Sequence, residues 1–372
     1  MTATEITVRP MHPEEKRRVR TLMRRAFSTP IWPFFSLSDH VFVADQDGSL
    51  IGGIVLEMLS LPGDRRGGEV AWIFTDPEAR GLGAGQALVE AGLDYLERQG
   101  CDEVFAIVEG NNSSSAKLFA TRGFSILSPG EQFRRYGLGT FLVWLKLLHF
   151  SDIGHFCWAR PPEMSADRPA LQWWGGLLLN VLFAGLALLR RQRFSFFAVG
   201  LGRGVVVAPA DLGMVAVSTI LLLGARHGAM RGAAALKGLR VRYRAWESTF
   251  PTTLLLALIV GVFFPAPGGL YPDGDDWRYD DLLPKLGPMG LAGSLTVLLL
   301  TWGAWVLQHL AGLAPAVDRW LGTLLFVAVP LALLDTVFAF FPFTGFNGRC
   351  LWDWSRPLWL LLSVAAALVL FV

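Results

Sequence analysis

The chain has 372 residues, 52% hydrophobic and only 17% charged, and its 33 Lys and Arg against 31 Asp and Glu leave a formal net charge of +2. Soluble domains carry about 25% charged residues, so a uniformly soluble protein is excluded. The near-neutral balance, without a basic tail or RNA-type motif, gives no ground for a nucleic-acid partner.

The apolar excess is uneven: residues 1–136 read as an ordinary charged globular protein, and long apolar runs begin near Phe141. Cys101, Cys157 and Cys350 lie far apart with no CxxC pair, so no disulfide framework is expected. The opening MTATEITVRP lacks the apolar core of a signal peptide, and the first domain is expected in the cytoplasm.

In chain order, EITVRPM is a short β-branched run and PEEKRRVRTLMRRAF is helical. HVFVADQDGSLIGGIVLEML predicts two strands about DQDGS, because Asp-Gly between apolar runs signals a hairpin. GEVAWIFTD is a strand, and GAGQALVEAGLDYLERQG has apolar residues at helical spacing and a Gly stop. EVFAIVEG is a strand, SSSAKLFATRG a helix, and a final strand pairing is expected near FSILSP and QFRRYG. The expected fold of this part is α/β, a mostly antiparallel sheet flanked by helices.

Residues 137–170 read as an interfacial amphipathic helix, LGTFLVWLKLLHFSDIGHFCW, and a linker. A charged residue at mid-span costs several kcal/mol in lipid, which argues against a crossing here. Beyond ARPPEMSADRPA come candidate spans at 171–189, 211–236, 249–264, 287–311, 318–342 and 356–372. A helix of about 20 apolar residues crosses a bilayer, so residues 171–372 are expected to be an α-helical membrane domain of five or six spans. The short, Pro-flanked third candidate reads as re-entrant. Arg231, Lys237, Arg240, Arg242 and Arg244 belong on the cytoplasmic side, while RRQRF at 190–194 would then face outward, against the rule.

Two segments carry chemistry in the first part. Arg80, Gly83 and Gly85 form R-x-x-G-x-G between a strand and a helix, where glycines let the backbone approach an anion and the helix start offers free N–H groups. NNSSSAKLFATRGF follows. This pair, in this order and between these strands, resembles the GNAT N-acetyltransferase superfamily over residues 5–136. The resemblance implies that acetyl-CoA, as co-substrate, lies along Trp72, Ile73 and Phe74. It also implies that the N–H groups of Arg80, Gly81, Leu82, Gly83, Ala84 and Gly85 hold the pyrophosphate and that Asn112 positions the cofactor. Asn112 also reads as a helix cap. Phe119 lines the cofactor at the position where the family often carries a Tyr acid, and it cannot donate a proton. Tyr136 or water is the candidate replacement. Glu69 is the candidate base, with a solvated strand residue as the alternative.

ARHGAMRGAAALKGLRVRYRAW (225–246) resembles the zinc helix of the site-2 proteases, with Arg226, His227, Gly228, Ala229 and Met230 on the HExxH positions. GLAGSLTVLLL and FAFFPFTGFNGRCLWDW resemble that family's later motifs, with Ser294, Val297 and Asn347 at altered positions. A catalytic zinc needs about three N or O ligands. Only His227 remains, so no metal and no proteolysis are expected; His227 is expected to be hydrogen-bonded at the membrane boundary. A guanidinium, from Arg226 or Arg231, is expected in the metal's place, facing Asn347, Asp335 or a lipid phosphate. Positive-inside anchoring is the alternative for the basic cluster.

The sequence thus supports a membrane-tethered acetyltransferase with an amine acceptor it does not reveal. The alternative is a non-catalytic acyl-CoA sensor whose pseudo-protease domain grips a transmembrane partner. The aromatic residues Trp32, Phe34 and Phe35 line an acceptor pocket or dip into lipid headgroups. Transport has little support, since few intramembrane charges mark a pathway.

Overall fold

The computed structural model describes residues 6–150, 152–163, 167–191, 208–274, 277–309 and 312–370. Glu5 of the expected first strand, residues 164–166 of the linker and 192–194 of RRQRF lie outside the described residues. Contacts divide the chain into two units. The first takes Met1–Val108, Ser115–His149 and Phe156–Ala166; the second takes Glu109–Ser114, Phe150–His155 and Asp167–Val372.

The elements up to residue 160 are β1 (Thr7–Pro10), α1 (Lys16–Ala26), β2 (His40–Gln46), β3 (Ser49–Leu61), β4 (Arg65–Thr75), α2 (Ala84–Arg98), β5 (Glu103–Glu109), α3 (Ser113–Ala120), β6 (Ser125–Ile126), α4 (Pro129–Tyr136), α5 (Thr140–Lys146) and β7 (His155–Arg160). The strands form one sheet in the order β1-β2-β3-β4-β5-β7-β6. The β1–β4 pairings are antiparallel, as is β6 with β7, and β4 with β5 is parallel. On one face, α1 lays Val19, Leu22 and Met23 over Val41, Val43, Val55 and Phe74. Burial of each such side chain contributes about 1.5–3 kcal/mol. On the other face α2 packs so closely that a Cβ on Gly68 would meet Leu96 Cδ2 at 2.7 Å.

Two expectations are corrected. QFRRYG is not a strand: Ser128 caps the Glu131 N–H at 3.2 Å, Pro129 opens the helix and Gly137 ends it, so the segment is α4. Nor is 137–158 one helix. It yields the seven-residue α5 and then β7, which pairs with Ser125 and Ile126 and supplies the missing strand. Val143 and Leu147 pack with Leu61, Phe105, Leu127, Cys157 and Ala159, so the core of the first unit extends well past residue 136. The burial of Val143 and Leu147 in that core, rather than lipid, explains the alternation read as amphipathic.

The second unit holds α6 (Pro169–Arg191), α7 (Pro209–Leu236), β8 (Val241–Arg244), α8 (Thr249–Leu255), β9 (Gly269–Pro272), α9 (Tyr279–His309), α10 (Pro315–Thr336), α11 (Asn347–Trp354) and α12 (Arg356–Leu368). Among the described residues four helices are long and apolar enough to cross a membrane: Pro169–Arg190, Pro209–Leu236, Tyr279–His309 and Pro315–Thr336. The apolar helices Thr249–Val260 and Arg356–Leu368 are shorter than a crossing needs. The second is 13 residues long, or about 20 Å of helix against a core of about 30 Å. Among the described residues, length thus supports four of the five or six expected spans. Within this unit Gly154 and Gly345 meet backbone to backbone: a Cβ on Gly345 would lie 2.7 Å from Gly154 Cα, and Gly345 N donates to Ile153 O at 3.1 Å.

Candidate functional site

The bend between β4 and α2 is built by backbone conformation. Asp76 accepts from Glu78 N at 3.1 Å, and Arg25 clamps the same stretch through Asp76 at 2.9 Å and Glu78 at 3.0 Å. Gly81 and Gly83 have φ of +85° and +89°, the left-handed region that costs a side-chain-bearing residue about 1–2 kcal/mol. Gly83 caps α2 with no side-chain acceptor. The first-turn N–H groups of a helix have no partner within it, so α2 offers donors and the positive dipole end together. Arg80, Gly81, Leu82 and Gly83 are exposed, whereas Ala84 turns inward. Gly85 is different: a Cβ there would meet only Thr75 Cγ2, at an ordinary 3.8 Å. Neither crowding nor φ requires glycine at 85.

The strand leading into the bend has one open edge. β4 pairs with β5 only over Gly67–Glu69 and Glu103–Phe105, while its pairing with β3 runs on to Thr75. Trp72, Ile73 and Phe74 are therefore laddered to Val55, Ile54 and Gly53 and lie beyond the last recorded pair on the β5 side. Their backbone is available for an extended ligand. Their side chains serve the core, with Trp72 edge-on to Phe27 and Phe35 at 5.5 and 5.2 Å between ring centroids.

Glu69 is buried, 8% exposed, directly opposite Glu57 of β3. Facing residues share a side of the sheet with Cβ atoms about 5 Å apart. Alternation from Val55 puts both carboxylates on the face away from α2. Burial raises the Glu57 carboxyl above its ordinary value, against a smaller opposing effect of His40. Glu57 was not singled out from sequence, although the turn at Pro62–Asp64 fixes the register: Leu61 meets Arg65, and four pairs on Glu57 meets Glu69.

The other expected residues do not gather here. Tyr136, at the end of α4, packs against Phe105 at 6.3 Å, under the Arg65 guanidinium at 5.6 Å, with burial raising its hydroxyl far above the ordinary value. It belongs with Glu103, at the Gly67 end of β4. The bend follows Thr75, about 26 Å along the strand. Tyr136 thus lies far from the bend but packs on Phe105, the β5 residue that pairs with Glu69. Phe119 also faces inward, buried at 2% and 5.1 Å from Phe124. Asn112 immediately precedes α3, with its N–H on Glu109 O at 2.9 Å, and falls in the second unit. There Ser113 Oγ accepts from Tyr279 N at 3.0 Å, and Tyr279 donates its hydroxyl to Asp353 at 3.0 Å.

The second unit brings together several residues singled out from the sequence. Arg226 donates Nε and Nη2 to Asp335 at 3.0 and 2.7 Å, a bidentate pair with exposures of 3% and 0%. Asn347 Nδ2 donates to Asp335 Oδ2 at 2.7 Å, and Ser294 Oγ donates to Asp335 O at 2.9 Å. Arg226 rather than Arg231 fills the position, since 226, 230 and 234 share the buried face of α7 while Arg231 is exposed. Asp335 is committed to a guanidinium and an amide, so this donor set does not fit zinc. No group of three or more His, Cys, Asp or Glu able to hold a metal occurs among the described residues. His227 is stacked on Trp173 at 4.1 Å, with Tyr243 edge-on at 5.6 Å, so among the described residues ring packing rather than the expected hydrogen bond holds it.

Comparison with known proteins agrees with the first unit. Residues 7–124 match the sequence model of the Acetyltransferase (GNAT) family. A mycothiol acetyltransferase of Salinispora arenicola is 33% identical over 125 residues, which is 33% of this chain and 40% of that protein. One from Sanguibacter keddieii is 31% identical over 129 residues, 33% of this chain and 39% of that protein. The chain thus spans about two fifths of the length of these relatives. The N-acetylglutamate synthase of Neisseria gonorrhoeae, solved with coenzyme A, covers 42% of this chain and 35% of its own at 18% identity and a TM-score of 0.32. Residues 7–124, which match that family's model, lie in a mixed sheet with flanking helices, and four candidate membrane helices follow in the chain.

Proposed function

We propose that this chain is a membrane-embedded N-acetyltransferase that moves the acetyl group of acetyl-CoA to an amine. The open edge of β4 running into the uncapped, glycine-built start of α2 carries the reading. It offers in-line backbone groups for an extended arm and N–H donors for a pyrophosphate. Glu69, with Glu57 opposite, takes the proton as the amine nitrogen attacks the thioester carbonyl. The carbon–sulfur bond then breaks and coenzyme A leaves as thiolate. The relatives' name, mycothiol acetyltransferase, supports acetyl transfer as the activity to assay. The resemblance alone assigns Asn112 to the cofactor.

The four apolar helices support residence in a membrane, and the Lys/Arg bias supports a cytoplasmic N-terminal domain. Leu138, Phe141, Leu142, Leu145 and Leu148 around α5 are 49–83% exposed, which supports a lipid-facing patch here despite the short helix. A second reading, an acyl-CoA sensor with a pseudo-protease domain, draws on the inward Phe119, which cannot donate a proton, and on the burial of Tyr136.

Isothermal titration of the full-length protein in dodecyl maltoside with acetyl-CoA, and thiol release with a panel of amines, test the proposal. Binding and turnover, both lost in Gly83→Glu, are expected. Absence of binding at millimolar acetyl-CoA refutes both readings, and binding without turnover leaves the sensor.

A further inference from the structure

Two open pockets on the first unit differ in charge balance. In one, Arg65, Arg134 and Arg135 meet Asp102, Glu103 and Glu131. Its charges pair among themselves: Arg135 spans Glu131 at 2.7 Å and Glu103 at 2.5 Å, and Arg134 reaches Glu131 at 2.6 Å. The other, of about 320 Å³, lies beside α1 at the Leu50 end of β3, where Arg17, Arg18 and Arg25 face a single carboxylate, Asp76. Arg25 is already committed to Asp76 and Glu78. Among the described residues Arg17 and Arg18 form no ion pair. Both line the pocket with Thr21 and Arg25; Arg17 stands four residues and Arg18 three before Thr21, the helical spacings that make neighbours, over an apolar floor of Leu22 and Leu50.

An unbalanced pair of guanidinium groups at the rim of a concave pocket matches an anion with several oxygens, which arginine holds through paired N–H bonds. Asp76 does not oppose such a ligand, because Arg25 neutralises it. The same Asp76 opens the bend that leads to α2, and its N–H donates to Ile51 O at 2.8 Å, so the pocket and the bend share one rigid wall.

We propose that Arg17 and Arg18 form a phosphate-binding site. Its phosphate comes from the ribose of coenzyme A or from a phosphorylated acceptor. The source rests on the acetyltransferase reading; the site itself does not.

The test uses the full-length protein in dodecyl maltoside at low ionic strength, with inorganic phosphate as the probe and ³¹P line broadening as the readout. Broadening is expected in the wild type and in Arg134→Ala, from the charge-balanced pocket, and is lost in Arg17→Ala/Arg18→Ala. Both positions are exposed, so unchanged thermal unfolding verifies that the double variant folds. Titration with coenzyme A and dephospho-coenzyme A separates the sources. If the cofactor is the source, the wild type prefers coenzyme A at least about tenfold, a difference of about 1.4 kcal/mol, and the double variant loses that preference. If the acceptor is the source, the preference is unchanged and the double variant loses its selectivity for phosphorylated over plain amines. Equal broadening in wild type and double variant overturns the proposal. Broadening that depends on Arg17 and Arg18 in a protein that binds no acetyl-CoA upholds the site while the acetyltransferase reading falls.

Discussion

Arg226 and Asp335, 109 positions apart in sequence, form a bidentate ion pair sealed inside the second unit, with Asn347 bonded to the same carboxylate. Taking two charges from water costs several kcal/mol per ion, and the geometry offsets this only while both partners remain. Arg226→Ala should therefore cost about 3–5 kcal/mol, whereas Arg226→Met with Asp335→Leu should be nearly neutral. Thermal unfolding in detergent decides; equal loss in both variants would show that the pair is not the cause.

The glycines of the bend separate into two kinds. Gly83→Ala should destabilise by about 1–2 kcal/mol, because its φ is +89°. Gly85→Ala should leave stability unchanged or improve it by up to about 1 kcal/mol, as alanine is the better helix former. A weaker acetyl-CoA affinity in a Gly85→Ala protein of full stability, measured by calorimetry, would show that glycine is there for the ligand.

If Glu69 is the base, Glu69→Gln should lower kcat about 10²–10⁴-fold with little change in acetyl-CoA affinity. Tyr136→Phe should lower kcat as well if the buried hydroxyl is the acid, and an unchanged kcat removes it from that role. Steady-state kinetics on the two variants, with the pH dependence of kcat, check both.

Glu57 and Glu15 should move acid stability in opposite directions. Burial raises Glu57 above 4.5, so the folded form holds its proton more tightly, and its contribution is present below 4.5 and lost as pH rises through the higher value. Glu57→Gln should thus be more stable than wild type at neutral pH. Hydrogen bonds from Arg9 lower Glu15 to about 2, so its contribution is present above 4.5 and lost as pH falls toward 2. Glu15→Gln should flatten that acid limb in denaturant titrations between pH 2 and 5.

The strand-turn-helix around Gly81–Gly85 was legible because glycine and a clean helical period are local signals. Pairing was legible in principle too, as the tight turn at Gly63 dictates that Glu57 meets Glu69. Local signals failed where neighbours decide. Cys157 and Ala159 belong to a strand because β5 and β6 flank it in the sheet, and the aromatic, Leu-rich run before them carries the same residues an interfacial helix would. Tyr136 looked available in one dimension and is entombed in three. A guanidinium facing Asn347, Asp335 or a lipid phosphate was an expectation from sequence; that it is Arg226 depended on the rotation of α7, and the Ser294 bond to Asp335 carried no sequence signal.

The division of the chain bears on how it can be handled in the laboratory. Because Glu109–Ser114 and Phe150–His155 are counted with the later residues while the stretches between them return to the earlier ones, no single cut frees either unit whole. A fragment stopped at residue 108 lacks α4, α5 and β7, and one stopped at 166 carries two orphaned segments whose companions, Gly345 and Tyr279 among them, are missing. Synthesis must therefore reach α11 before Gly154 can find its neighbour.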